Sequence, residues 1–191
     1  MEDLLKLAVA TALINNVVLS QFLGLCPFLG VSKKTKTAAG MGFAVIFVLT
    51  ISSAFASVVY EQVLVRFNVE YLETIVFILL IAALVQLVEI VLKKFSPSLY
   101  KALGVYLPLI TTNCSVLGVV IINVQKEYGF VESIVNALGT GIGFTLAIVI
   151  LAGLREKMEY NKISPAFKGM PIVLITAGLM AIAFSGFAGI L

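Results

Sequence analysis

The sequence predicts an all-α polytopic membrane protein: six transmembrane helices forming two inverted three-helix repeats, with the first and fourth helices interrupted. Three observations predict it. Of the 191 residues, 61% are hydrophobic and 12% are charged, and the mean hydropathy is +1.12, a composition suited to lipid. The apolar residues fall into six stretches, each near the roughly 20 helical residues a bilayer core requires. A short phrase also occurs once in each half: Cys26-Pro27-Phe28-Leu29-Gly30-Val31 and Cys114-Ser115-Val116-Leu117-Gly118-Val119, both reading Cys-x-x-Leu-Gly-Val. No charged stretch is long enough to build a soluble domain. A single membrane domain over 1–191 is expected, with halves of about 1–95 and 96–191.

The first stretch, 4–30, is too long for one crossing. A continuous helix from Leu4 to Val31 would run about 42 Å, against a core of roughly 30 Å. Pro27 follows Cys26 directly, removes a backbone donor and biases the residue before it away from the helical region. Gly24 and Gly30 flank it. A break at the cysteine is expected, and Asn15 and Asn16 add polar groups within the same span.

The second stretch, 39–60, contains Gly40-Met41-Gly42-Phe43, which recurs in the fifth, 132–154, as Gly141-Ile142-Gly143-Phe144. The third, 71–92, holds Gln86 and Glu89. A charge inside a span is a functional candidate, but Glu89 precedes Lys93 by four residues, the spacing of a helical ion pair at the membrane interface. Glu73 and Glu132 lie at span ends and read as interfacial. The fourth stretch, 102–124, carries Pro108 and then a polar patch, Thr111-Thr112-Asn113-Cys114-Ser115. Such side chains can satisfy backbone groups freed by an unwound turn, which is tolerated at membrane depth where it is buried in protein or faces a cavity. An ordinary proline kink with polar packing is the alternative in either span; breaks coinciding with both cysteines favour half-helices. The sixth stretch is 169–191.

Three spans per half is an odd number, so the second half enters from the opposite side. That is an inverted repeat, a design that places a shared site near the midplane. Small-residue phrases also recur wherever helices pack closely, so the Gly-x-Gly-Phe match argues only together with the cysteine phrase.

Charge sets the orientation. The connections after spans one, three and five hold Lys33, Lys34, Lys36, Lys93, Lys94, Lys101, Arg155, Lys157, Lys162 and Lys168, against Lys6, Arg66 and Lys126 on the other side. The positive-inside rule then puts both termini outside the cytoplasm, in a cell (inner, cytoplasmic) membrane. Glu2 and Asp3 stand where a signal peptide has a basic region, so no signal peptide is expected. The net charge of +3 is spread over short loops, and no nucleic-acid partner is expected. Histidine is absent, which excludes histidine-ligated haem and histidine proton relays. Tryptophan is absent too, so Tyr and Phe must supply the interfacial aromatic belt.

Cys26 and Cys114 are the only cysteines. A buried cysteine is often a small apolar filler. A disulfide has no evident reason at the midplane. A metal centre is the sharper reading, and it faces a shortage: an iron–sulfur cluster usually takes four thiolates, and zinc four ligands. Two cysteines without histidine require a second chain, either a homodimer or a paralogue with its own pair.

The runs Phe22-Leu23-Gly24-Leu25-Cys26-Pro27-Phe28-Leu29-Gly30-Val31-Ser32-Lys33-Lys34 and Leu107-Pro108-Leu109-Ile110-Thr111-Thr112-Asn113-Cys114-Ser115-Val116-Leu117-Gly118-Val119 closely resemble the RnfA/NqrE family. Arg155-Glu156 and Leu174-Ile175-Thr176-Ala177-Gly178-Leu179-Met180 fit as well. Cys-Pro-Phe and Thr-Thr-Asn-Cys resemble the Rnf side of the family more than NqrE, its counterpart in the sodium-pumping NADH:quinone reductase. The resemblance covers essentially the whole chain. It implies an enzyme subunit, not catalytic alone, of an ion-translocating oxidoreductase complex coupling electron transfer from ferredoxin to NAD to Na+ or H+ movement. It also implies an inversely oriented, RnfE-like paralogue as partner, other members of the Rnf complex, and one intramembrane [2Fe–2S] cluster whose ligands here are Cys26 and Cys114. The other class to weigh is a small inverted-repeat solute transporter with incidental cysteines, which would bind no iron. With no Gly-rich phosphate loop after a strand, the chain is expected to hold neither NAD nor flavin itself.

Overall fold

A computed structural model describes residues 2–66, 70–95, 109–110, 113–161, 164 and 167–186. The described residues are helical and contain no strand. Seven α-helices follow in order: α1 Glu2–Val9, α2 Leu25–Val31, α3 Thr35–Val59, α4 Glu73–Phe95, α5 Cys114–Gln125, α6 Phe130–Glu159 and α7 Met170–Ser185. The continuous stretch Thr35–Val65 and α6 are long and apolar enough to cross a membrane; Glu73–Leu87, α5 and Met170–Ser185 are shorter apolar helices.

The first predicted span is broken, but not at its proline. α1 runs into a π-helical turn, Ala10–Ile14. The chain is then non-helical through Gly24, until α2 begins at Leu25. Pro27 is the third residue of α2, inside the first turn. Those first N–H groups have no intrahelical acceptor, so proline's missing donor costs nothing there. The break lies upstream, where Phe22 (φ 57°) and Gly24 (φ 79°) take the left-handed conformation.

The remaining elements sit close to the predicted spans. α3 starts four residues before the predicted boundary and continues into a π-helical segment, Tyr60–Val65. α6 begins with Glu132 Oε2 accepting from the Gly129 N–H at 3.1 Å, so this interfacial carboxylate caps the helix. Gly169 (φ 102°) turns the chain into α7, with Pro171 in its first turn. Pro108, Thr111 and Thr112, named in the fourth span, lie outside the described residues, as does the side chain of Lys93.

The core is built on α3 and α6, which cross in antiparallel fashion. Gly42 of α3 faces Thr145 of α6, and Gly141 of α6 faces Ile46 of α3. A Cβ on Gly141 would lie 2.8 Å from Ile46 Cγ1, so the two backbones approach as closely as they do because Gly141 lacks one. The repeated Gly-x-Gly-Phe phrase therefore builds one crossing. Its phenylalanines part company: Phe144 is fully buried and Phe43 faces outward. Met41, Val45, Leu49, Phe28, Phe77, Ile148 and Leu151 fill the interior. Phe47, Ile75, Leu79, Ile90, Leu179 and Ile182 stand exposed around it, an apolar outer surface suited to lipid contact.

Candidate functional site

Both cysteine phrases come to one place. The backbone N–H of Gly24, two residues before Cys26, donates to Cys114 Sγ at 3.0 Å. Cys26 is the second residue of α2, and Cys114 is the first residue of α5. Leu23 packs against Gly118, and Gly30 lies near Leu109. α2 and α5 therefore run in opposite directions from a common level, with their N-terminal ends meeting at the two cysteines. Both are free thiols, exposed on the surface of the chain.

The local sequence explains how the backbone reaches this geometry. Unwinding a helix inside an apolar interior leaves N–H and C=O groups that must find partners. Asn16 supplies several. Its Oδ1 accepts from the N–H groups of Val18 at 3.1 Å and Leu19 at 3.4 Å. Its Nδ2 donates to Gly143 O of α6 at 2.8 Å and to Ala12 O at 3.3 Å. One buried amide thus stitches the broken segment to itself and to the α3–α6 core. Asn15, its neighbour, faces outward.

On the other side, Asn113 caps α5: its Oδ1 accepts from the Ser115 N–H at 3.1 Å and the Ser115 hydroxyl at 2.8 Å. Cys114 sits in the first turn of this twelve-residue helix, where the backbone N–H groups lack intrahelical acceptors. Gly24 is the wedge between the two phrases. A Cβ there would lie 3.1 Å from each of Asn113 Oδ1, Ser115 Oγ and Phe144 Cε2.

The far end of α2 is held by α6. Arg155 Nη1 donates to Leu29 O at 2.9 Å and to Ser32 Oγ at 2.7 Å. Glu156 Oε1 accepts from the Thr35 N–H at 2.8 Å and Thr35 Oγ1 at 3.2 Å. Adjacent residues of α6 thus secure one carbonyl in the last turn of α2 and the first N–H of α3, each with the charge that matches the helix end it meets. Lys33, Lys34, Lys36 and Lys157 are exposed at this same end of the α3–α6 pair; Arg66 and Lys126 are exposed at the other.

A second polar cluster was not singled out from the sequence. Asn123 Nδ2 donates to Ser53 Oγ at 2.7 Å, Asn136 Nδ2 to Asn123 Oδ1 at 2.5 Å, and Ser53 Oγ to Ser133 O at 3.0 Å. All four residues are buried. A cavity of about 280 Å³ opens beside them, walled by Glu61, Glu127, Tyr60 and Tyr128 together with Ser53 and Asn123. The available signal was two asparagines standing alone in apolar helical sequence, the same signal that marked Asn15 and Asn16.

The donor set at the cysteines fits half of a four-thiolate centre. Two free thiols are exposed, and a backbone N–H two residues before one of them is aimed at the sulfur of the other. A complete four-thiolate site cannot come from this chain alone, which has two cysteines.

A family model described as "Rnf-Nqr subunit, membrane protein" matches residues 4–191. The chain is 59% identical over 186 residues to the A subunit of the Na(+)-translocating ferredoxin:NAD(+) oxidoreductase complex of Acetobacterium woodii, covering 97% of each chain. It is 54% identical over 190 residues to the A subunit of the ion-translocating oxidoreductase complex of Syntrophotalea carbinolica, covering 100% of this chain and 98% of the relative. The relative of the same description in Azoarcus sp. gives the same identity and coverage.

Proposed function

The chain belongs to the Rnf-Nqr family of membrane subunits, and from that premise we propose that it is the A subunit of an ion-translocating ferredoxin:NAD oxidoreductase complex. Cys26 and Cys114 hold one half of a [2Fe–2S] cluster, and an inversely oriented, RnfE-like paralogue supplies the other two thiolates. When bound, the cluster supplies one-electron transfer within the membrane. The observation that carries the reading is the Gly24 N–H to Cys114 Sγ hydrogen bond at 3.0 Å, which joins the two cysteine phrases beside two exposed free thiols.

This chain's residues then have distinct tasks. The thiolates bind, and the α5 N-terminus and the Gly24 N–H stabilise the charge on Cys114. Asn16 and Asn113 hold the unwound backbone on either side. Nucleotide and flavin chemistry belongs to other members of the complex. The coupled ion is Na+ or H+; the buried Ser53–Asn123–Asn136 cluster and the adjoining cavity with Glu61 and Glu127 offer it polar ground within this chain.

The architecture that goes with this reading is one membrane domain of six spans in two inverted halves, 1–95 and 96–191, with the first and fourth spans interrupted. Two features support it. α3 and α6, the second spans of the two halves, pack antiparallel, and α2 and α5 leave the cysteine level in opposite directions. Basic residues cluster at the end of the α3–α6 pair that carries Arg155, which becomes the cytoplasmic end, with both termini on the opposite side.

The test is iron and acid-labile sulfide in the purified complex, with EPR of the reduced state. Cys26→Ser and Cys114→Ser should each abolish the intramembrane [2Fe–2S] signal while the complex still assembles. An unchanged signal in both variants would reject the ligand assignment. A complex without iron at this chain would favour a solute transporter with incidental cysteines.

A further inference from the structure

α2 carries Cys26, yet it has only seven residues, too few to be a stable helix without tertiary support. Its C-terminal carbonyls are orphaned by helix geometry. The group that meets them is Arg155, through Leu29 O at 2.9 Å and Ser32 Oγ at 2.7 Å. Leu29 is three positions past Cys26, close to one helical turn. Among the described residues Arg155 has no ion-pair partner. The adjacent carboxylate, Glu156, is engaged with Thr35 at the start of α3 instead.

We propose that Arg155 is the positioning residue of the Cys26 half-helix and that its charge raises the reduction potential of the one-electron centre Cys26 helps to hold. The inference rests on the cluster reading above. The guanidinium does two things through one contact. Its Nη1 bridges the Leu29 carbonyl and the Ser32 hydroxyl, which fixes how α2 sits on α6. It also places a permanent cation close to the sulfur. Three residues of helix span about 4.5 Å; with the carbonyl and the hydrogen bond added, the cation lies about 10 Å from Cys26 Sγ. At an effective dielectric of about 20, a unit charge at that distance shifts a one-electron equilibrium about tenfold toward the reduced form. The other cations of this end, Lys33, Lys34, Lys36 and Lys157, are exposed to solvent and screened by it.

The experiment is a redox titration of the intramembrane cluster by EPR in the purified complex. It uses wild type, R155Q, R155K and, as the exposed neighbour, K157Q. R155Q keeps hydrogen-bond donors without charge; R155K keeps the charge without the planar fork. The expected result is a lower midpoint in R155Q, by about tenfold in the oxidised-to-reduced ratio or 59 mV for a one-electron couple. R155K and K157Q should stay near wild type. R155Q with full cluster content and the wild-type midpoint would overturn the proposal, as would an equal shift in K157Q. Loss of the cluster from R155Q and R155K alike would leave Arg155 a structural residue only and overturn it as well. If R155Q alone fails to assemble, R155H carries the test. Its side chain is charged at about pH 5.5 and neutral at about pH 8, so the midpoint should fall across that range more than in wild type; a parallel profile would overturn the proposal. A wild-type complex with no cluster at this chain would instead refute the functional reading itself.

Discussion

Replacing Gly24 by alanine tests the geometry of the cysteine site without touching a sulfur. Gly24 has φ 79°, a conformation that costs an L-residue roughly 1–2 kcal/mol. The new Cβ would arrive 3.1 Å from Asn113 Oδ1, Ser115 Oγ and Phe144 Cε2. Phe144 is fully buried in the core and Asn113 is committed to capping α5, so neither can retreat freely. Overpacking of this kind costs about 1–3 kcal/mol. Any backbone shift that relieves it pulls the Gly24 N–H from Cys114 Sγ, a further loss of about 1 kcal/mol. The expected destabilisation is about 3–6 kcal/mol, concentrated where the two cysteine phrases meet. Gly40→Ala is the matched control, because a Cβ at Gly40 meets nothing within 4 Å and alanine is the better helix former by up to about 1 kcal/mol. The assay is thermal loss of monodisperse complex, and of the proposed cluster's signal, measured in parallel for both variants. Gly24→Ala should lose monodisperse complex at markedly lower temperature while Gly40→Ala holds or gains. Equal behaviour of the two variants would refute the wedge argument and the placement of the Gly24 N–H on Cys114.

Asn16→Leu is nearly isosteric and removes an amide that serves Gly143 O and the N–H groups of Val18 and Leu19. Leaving these groups unpaired should cost about 3 kcal/mol, against less than about 0.5 kcal/mol for the exposed Asn15→Ala; thermal-shift measurements on the purified complex check the contrast. A reporter fused to the C-terminus should read extracytoplasmic, and one inserted between Ser32 and Thr35 cytoplasmic; the reverse pattern would defeat the orientation.

Much of this protein is legible from its residues. Composition points to a membrane protein, and the family the chain belongs to agrees. The second and fifth stretches anticipate the two helices long and apolar enough to cross a membrane, and the paired Cys-x-x-Leu-Gly-Val phrases name the candidate site. The position of the break was not legible. Pro27 advertises a break at Cys26, but a proline in the first turn of a helix sacrifices no hydrogen bond, so the chain places it inside α2. The actual unwinding spans Asn15 to Gly24, and what stabilises it lies far off in sequence: Gly143 O, accepting from Asn16, and the Phe144 ring against Gly24.

The same division runs through the rest of the molecule. The two Gly-x-Gly-Phe phrases are visible as strings. That Gly42 meets Thr145 while Gly141 meets Ile46, leaving Phe144 inside and Phe43 outside, is decided by the crossing of α3 with α6. Asn123 and Asn136 are each a lone polar residue in an apolar run; only the packing makes them a hydrogen-bonded pair above a cavity. Arg155 reads as one of the basic-connection residues and Glu156 only as its neighbour, and only the tertiary structure turns one to the end of α2 and the other to the start of α3. The sequence by itself pointed to a membrane and to two candidate thiols, because solvent preference and thiol chemistry belong to single residues. The tertiary structure decided how the backbone could be unwound beside those atoms, because each freed N–H and C=O needed a partner that only another helix could bring.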